Sequence, residues 1–311
     1  MRTFFAPLLA LLGLTLMCDA DANLLSWKDI LQRPPLRADH RIPYGADPLH
    51  FGDLWLPKGP GPHPVVILVH GGCWQAQYPG VELTHFMADG LRNAGYAVWE
   101  VEYRRLGHEG APYPGMFNDV AHAADHLRTL ASPHKLDLSR VVATGHSAGG
   151  HLALWLAARD HLPKSSGLHR DAALPVHAVV GIAAITDIEI FATAGAHACG
   201  ADTVSKLVDL PRRGKAAFAD TSPAELKIPV KQWLVQGKED KLVLPHLGAA
   251  YATAKRPRGE SIEVIDLPAA GHFELIAPWS AAWPPIVDTF KRAFEGIGNS
   301  VSRERTQSTR N

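Results

Sequence analysis

A serine becomes a useful nucleophile when a base takes its proton, an acid orients the base, and hydrogen-bond donors await the oxyanion. This chain carries those residue types in a workable order. Gly145-His-Ser-Ala-Gly149 sets Ser147 in a G-x-S-x-G pattern. The branched apolar run Val141–Thr144 before it reads as a buried strand, and the apolar Gly149–Arg159 after it reads as a helix. At such a strand-to-helix turn a strained backbone holds the hydroxyl out at a helix N-terminus, where the dipole favours developing negative charge. Flanking glycines avoid collisions with the neighbouring elements. The plain alternative is a serine that only caps its helix.

The base is expected late in the chain. Among 17 histidines, His272 stands in Pro268-Ala-Ala-Gly-His-Phe273, directly after the strand-like Ile262–Leu267, so it faces the same side of a sheet as Ser147. His246 competes but has no strand immediately before it. The orienting acid is expected in Gly237-Lys-Glu-Asp240, after the strand-like Gln232–Gln236. Asp240 is favoured, with Glu239 able to substitute and an N-cap role as the plain alternative. Asp187 reads as a structural cap. Oxyanion donors are expected from His70-Gly-Gly-Cys-Trp74, which follows the buried strand Val65–Val69. The backbone N–H groups of Gly72, Cys73 and Ala148 are the chosen donors, Gly71 is a further candidate, and Gly71 and Trp74 are expected to touch substrate. This chemistry needs neither cofactor nor metal.

Two rival readings meet obstacles in the sequence. His122 and His126 lie four apart on a helix with Asp119 and Asp125 nearby, but Ala123 stands where a zinc protease motif has glutamate. A non-catalytic binding protein on the same scaffold would be expected to lack a member of the serine, acid and histidine set, and none is lost.

The elements that must position these residues alternate. Leu49–Leu56, Val65–Val69, Ala97–Val101, Val141–Thr144, Ala178–Ala184, Gln232–Gln236 and Ile262–Leu267 read as strands. Leu83–Ala94, Phe117–Leu130 and Gly149–Arg159 read as helices, with a last helix inside Ser280–Phe294 and a short one near Trp27–Gln32. Alternation implies βαβ units and a mostly parallel sheet covered on both faces. One domain, residues 23–296, is expected. The stretch 187–222 is too long for a plain connection and reads as a cap over the site.

These motifs resemble the HGG-type branch of the α/β-hydrolase family, which includes hormone-sensitive-lipase-like carboxylesterases, feruloyl-esterase-like enzymes and kynurenine formamidases. The similarity runs from about Tyr44 to Phe294, through Tyr44-Gly-Ala-Asp47, His70-Gly-Gly-Cys-Trp74, Tyr103-Arg-Arg-Leu106, Phe117-Asn-Asp-Val120, Gly145-His-Ser-Ala-Gly149, Gly237-Lys-Glu-Asp240 and Gly271-His272. It implies an α/β-hydrolase fold and the site roles assigned above. It also implies cleavage of small or aryl esters through an acyl-enzyme, with a formamide amide as the alternative and a peptide bond as a remoter one. Cys73-Trp74 in place of a third glycine moves the chain towards the feruloyl-esterase-like and formamidase-like members.

Composition bounds the rest. The 311 residues are 46% hydrophobic and 20% charged, and 31 basic residues balance 31 acidic ones, so nothing draws the chain to nucleic acid or an anionic surface. The partner expected is a small ester or amide, and oligomeric state is not legible. Residues 1–22 read as a cleaved signal peptide: Arg2, an apolar run Phe4–Met17, then Ala20-Asp21-Ala22. The run is too short for a stable membrane span, and bulky Met17 argues against lipidation at Cys18. A secreted or periplasmic location follows as the expectation. Cys73 and Cys199 are read as buried free thiols in preference to a pair, and 297–311 as a disordered tail.

Overall fold

The computed structural model describes residues 24–308. The proposed signal segment and its cleavage site lie outside them. Eight strands form one sheet: β1 (His40–Pro43), β2 (Phe51–Trp55), β3 (His63–Val69), β4 (Ala97–Val101), β5 (Leu136–His146), β6 (Ala178–Ile182), β7 (Lys231–Gly237) and β8 (Ile262–Leu267). Their spatial order is β1-β2-β4-β3-β5-β6-β7-β8. Only the β1–β2 and β2–β4 pairs are antiparallel; the rest run parallel, which is the α/β-hydrolase architecture the motifs imply. Val65–Val69, all five residues of β4 and Val141–Ala143 are buried, as a strand covered on both faces must be.

Ten helices are described: α1 (Trp27–Leu31), α2 (His85–Asn93), α3 (Gly115–Leu130), α4 (Ala148–Ala158), α5 (Ile188–Ala194), α6 (Ala196–Cys199), α7 (Thr203–Leu207), α8 (Leu210–Arg213), α9 (Pro245–Lys255) and α10 (Trp283–Ser308). The sheet separates two cores. One packs α3 and α4 against it, with Phe117, Leu127, Leu152 and Trp155. The other packs α1, α2 and α10, with Ile30, Met87, Leu91, Ile286 and Phe290. Every residue of α4 is buried, so it is apolar all round rather than striped. The long insertion between β6 and β7 folds as α5 to α8 plus a 3₁₀ turn over Gly214–Asp220, and Asp187 caps α5 by accepting from the Ile190 N–H at 3.1 Å.

The structure departs from the sequence reading at a few places. The helix expected over Leu83–Ala94 is a 3₁₀ turn, Val81–Leu83, followed by α2. Polar, mostly exposed β1 shows no alternation and was not legible as a strand. α10 continues to Ser308 through residues read as tail, because Phe294 and Ile297 extend its buried stripe along Ile286, Phe290 and Ala293.

α9 crosses between the strands whose ends carry Asp240 and His272, and a buried polar cluster fixes it. Lys255 Nζ pairs with Glu260 at 2.7 Å, both side chains nearly inaccessible, and also donates to the Leu226 carbonyl. Gln232 Nε2 donates to Glu260 at 2.8 Å, and the Tyr251 hydroxyl donates to Gln232 at 2.8 Å. Lys255→Met leaves Glu260 buried and uncompensated. It should cost about 3–5 kcal/mol in the denaturant-unfolding free energy, and Lys255→Met with Glu260→Leu should recover much of it.

Candidate active site

β5 ends in His146 and α4 begins at Ala148, leaving one residue, Ser147, to turn the chain. Its φ of 57° and ψ of −119° are unfavourable for a side-chain-bearing residue, a strain of roughly 1–3 kcal/mol. The turn is held by backbone bonds, from the Ser147 N–H to the Ile182 carbonyl at 2.9 Å and from the His151 N–H to the Ser147 carbonyl at 3.2 Å. The chain after it passes so close to β3 that a Cβ on Gly149 would lie 2.0 Å from the Val69 carbonyl oxygen. Only glycine fits there.

His272 arrives on the loop after β8. Its Nδ1 lies 2.6 Å from Asp240 Oδ2, with both side chains buried. The other carboxylate oxygen accepts from the Leu242 and Val243 N–H groups at 2.8 and 3.0 Å. A carboxylate fixed in this way accepts a hydrogen bond from Nδ1–H, which keeps the proton on Nδ1 and leaves Nε2 as the free, basic nitrogen. Glu239 is exposed and His246 lies exposed on α9, so the structure brings neither alternative to this contact.

His146 is a part of the site that the sequence reading passed over. It is buried, its ring lies 4.3 Å from that of His272, and its Nε2 is 3.0 Å from the His272 carbonyl. Burial, reinforced by the charge of His272, pushes its pKa well below the ordinary range. It therefore stays neutral and donates Nε2–H to that carbonyl. Its position within the G-x-S-x-G pattern was the signal available. Ser147, His146 and His272 line one cavity of about 280 Å³ with Gly72, Cys73 and Tyr78. Its remaining wall is largely apolar and includes Trp27, Phe191, Val243 and Phe273.

The His70–Trp74 loop lines the opposite rim. Gly72 has φ +103°, and Cys73 and Trp74 follow at 52° and 56°. Gly71 and Trp74 do not line the cavity, which corrects their expected contact with substrate. Gly71 is packed against His146 and Ser147, where an added Cβ would lie 2.8 Å from the His146 carbonyl oxygen. Trp74 is fully buried, its indole N–H donating to His151 Nδ1 at 3.2 Å, so it anchors the loop instead. Cys73 and Cys199 form a disulfide with Cα atoms 5.4 Å apart, overturning the free-thiol reading. The cap folds over the loop and brings together residues 126 apart, a proximity that spacing could not reveal. In the chain-entropy account such a bridge stabilises by about 5 kcal/mol.

A buried network supports the loop from beneath. His70 Nε2 lies 3.0 Å from Glu102 Oε1, and Arg105 lies 3.4 Å from the same oxygen. The Tyr103 hydroxyl donates to the His70 carbonyl at 2.9 Å, while Arg105 donates to the Tyr78 and Pro79 carbonyls. Burial alone would raise the Glu102 pKa. The facing His70 and Arg105 and the Tyr103 N–H outweigh it and hold the carboxyl at about 2. The rival metal residues are occupied differently. Asp119 accepts from Arg104 at 2.8 and 2.7 Å, and Asp125 accepts from Arg159 at 3.0 Å.

The sequence from residue 53 to residue 253 matches the BD-FAE family. The chain belongs to this α/β-hydrolase family. The BD-FAE match includes Ser147 and Asp240 and stops before His272. No curated protein matches the chain. Among solved structures it is similar to esterase B from Lactobacillus rhamnosis inhibited by a tributyrin phosphonate: 20% identity over 90% of this chain and 93% of that one, TM-score 0.74. It is also similar to Thermogutta terrifontis esterase 2 phosphoramylated by tabun, at 16% identity over 85% and 97% of the chains, TM-score 0.66. A bifunctional GH43-CE protein of Bacteroides eggerthii matches at 25% identity over 81% of this chain and 37% of that one, TM-score 0.65. The first two likenesses establish the fold that this BD-FAE member shares with them.

Glu102 gives the BD-FAE site a pH signature. A carboxyl at about 2 when folded and near 4.5 when unfolded stabilises the fold above about pH 4.5, and that contribution is lost as pH falls towards 2. Glu102→Gln should lower unfolding free energy at pH 7 by about 3 kcal/mol and flatten its decline between pH 4.5 and 2. Urea melts of both proteins across that range check it; parallel pH curves would refute the network.

Proposed function

We propose that this chain is a serine ester hydrolase in which Ser147 is the nucleophile, His272 the general base and Asp240 the residue that orients it. The observation that carries the reading is a histidine bonded to a buried, immobilised carboxylate through Nδ1, in the same cavity as a serine held on a left-handed strand-to-helix turn. Nε2 takes the hydroxyl proton as Ser147 attacks the carbonyl. The N–H groups of Gly72, Cys73 and Ala148 receive the oxyanion. His272 then protonates the leaving alcohol, and water attacks the acyl-enzyme by the reverse sequence.

The ester reading is preferred to formamide cleavage because the neighbouring structures carry esterase names, with phosphorus inhibitors on two of them. The cavity, near the lower end of the range for ligand pockets, suits a short acyl or single-ring group. Export is part of the proposal. It is supported by the N-terminal charge, apolar run and small-residue site, and by a disulfide of the kind that persists in oxidising compartments. Among the described residues no helix is long and apolar enough to cross a membrane.

Ser147→Ala should reduce turnover of p-nitrophenyl acetate by ~10⁵-fold or more and abolish labelling by a fluorophosphonate, with the fold unchanged by circular dichroism. Asp240→Asn should cost roughly 10⁴-fold, and Glu239→Gln little. Near-wild-type turnover in Ser147→Ala sinks the mechanism; an unaffected Asp240→Asn removes the acid from it.

A further inference from the structure

The disulfide lies at the proposed oxyanion donors, and its placement gives it more to do than shorten the unfolded chain. Cys73 is the middle one of three successive residues in the left-handed region, and only the first is glycine. Side-chain-bearing residues leave that region unless their surroundings hold them there. Beyond Cys73, Trp74 is held by its buried indole, packed edge-on against His151 and Phe191. Cys73 itself is half-buried at the cavity wall, and its side chain is fixed by the bond to Cys199.

Cys199 is the last residue of α6, in the cap, and a polar lattice fixes it there. Gln75 Nε2 donates to the Cys199 carbonyl at 2.6 Å and lies 2.9 Å from Thr203 Oγ1, whose own hydroxyl donates to the Cys199 carbonyl. Loop and cap are therefore tied by sulfur, through Gln75 and by the packing of Trp74 on Phe191, and both cysteines line the cavity that holds Ser147 and His272. The cap's own packing, through Phe191, Val204 and Leu207, does not depend on the sulfur bond.

We propose that the Cys73–Cys199 bond is a clamp on the oxyanion loop. Cys199 is a positioning residue: through Cys73 it keeps the loop N–H groups aimed at the carbonyl attacked by Ser147, so that the oxidised chain is the competent hydrolase and the reduced chain a folded but weak one. The inference rests on the ester-hydrolase reading. Loss of aim at an oxyanion slows the chemical step more than it weakens substrate binding, because the donors act mainly on the transition state.

The test uses the full-length oxidised protein at 25 °C. A phosphine reductant cleaves the bond to two thiols, its phosphorus taking an oxygen from water as the two sulfurs take the protons. The expected result is a fall in kcat on p-nitrophenyl acetate of ~10- to 100-fold with KM changed less than about threefold. Affinity for phenylboronic acid, which forms a tetrahedral adduct on a nucleophilic serine, should fall by a similar factor. Removing the phosphine and reoxidising with a disulfide reagent should restore both. Cys199→Ser should reproduce the reduced values and not respond to the phosphine; if it does not fold, reduction of the folded wild type carries the test. A reduced enzyme that melts at lower temperature but keeps its kcat and boronate affinity overturns the clamp and leaves the hydrolase reading standing. An oxidised enzyme without Ser147-dependent turnover overturns that reading, and the clamp with it.

Discussion

The first turn of α4 lies against the carbonyls that end β3, and the geometry of the site follows from that approach. A single methyl group at residue 149 would sit 2.0 Å from the Val69 oxygen and 2.4 Å from that of His70. With the elements this close, the chain between β5 and α4 has room for one residue in a left-handed conformation, and the side chain of that residue has nowhere to go but the rim of the sheet. The apolar character of α4 on every side is the other half of the constraint. A helix buried throughout cannot shift outward to relieve strain at its start without exposing Leu152, Trp155 and their neighbours. The core thus offsets the strain at Ser147, and packing some distance from the cavity governs how the hydroxyl is presented.

Charge is managed by the same logic on the other rim. His70, Glu102 and Arg105 are all buried, an arrangement that would destabilise the fold were any one unpaired. Glu102 faces both His70 and Arg105, and Arg105 donates to the carbonyls of Tyr78 and Pro79, so the loop before α2 and the His70–Trp74 loop share one support. Around His272, Asp240 divides its two oxygens between the imidazole and two backbone N–H groups, and His146, kept neutral by burial, steadies the His272 carbonyl. The proposed acid and base are therefore both held by buried polar contacts.

The strands and the order of the site residues were legible in the sequence because both are local. Val65–Val69 and Ile262–Leu267 declare themselves by composition, and Gly-rich turns mark where each ends. Ser147, Asp240 and His272 each follow such a strand, so their convergence on one rim follows from parallel pairing alone. What escaped notice depends on distant contacts. Glu102 stands in a run, Trp99-Glu-Val-Glu102, whose alternation suggests a solvated face, while the structure buries that face under α2 and the loop before it. Trp74 looked available to substrate because nothing nearby in sequence shows His151 waiting for its N–H. The pairing of Cys73 with Cys199 requires knowing where the cap lands, and the cap's short helices carry little periodicity from which to place it.

The cavity also draws its walls from both cores, which bears on how selectivity and catalysis are coupled. Trp27, Leu83 and Phe273 pack with the α2 and α10 face; Cys73, Phe191, Cys199 and Val243 pack with the α3 and α4 face. The BD-FAE match spans the second wall but omits Trp27 and Phe273 of the first, and His272 with them. That first wall is tied to the loop of the proposed base by Glu274. One of its carboxylate oxygens accepts from the Gly271 N–H at 3.0 Å, and the other from the Leu25 N–H in the lead-in to α1. A change in the lead-in that reshapes the pocket around Trp27 therefore pulls on the residue before His272. Walls made of loops and short helices usually vary freely on a fixed sheet. Here one of them shares a carboxylate with the loop that holds the proposed base, so altering that wall to admit a larger group also bears on the aim of the imidazole.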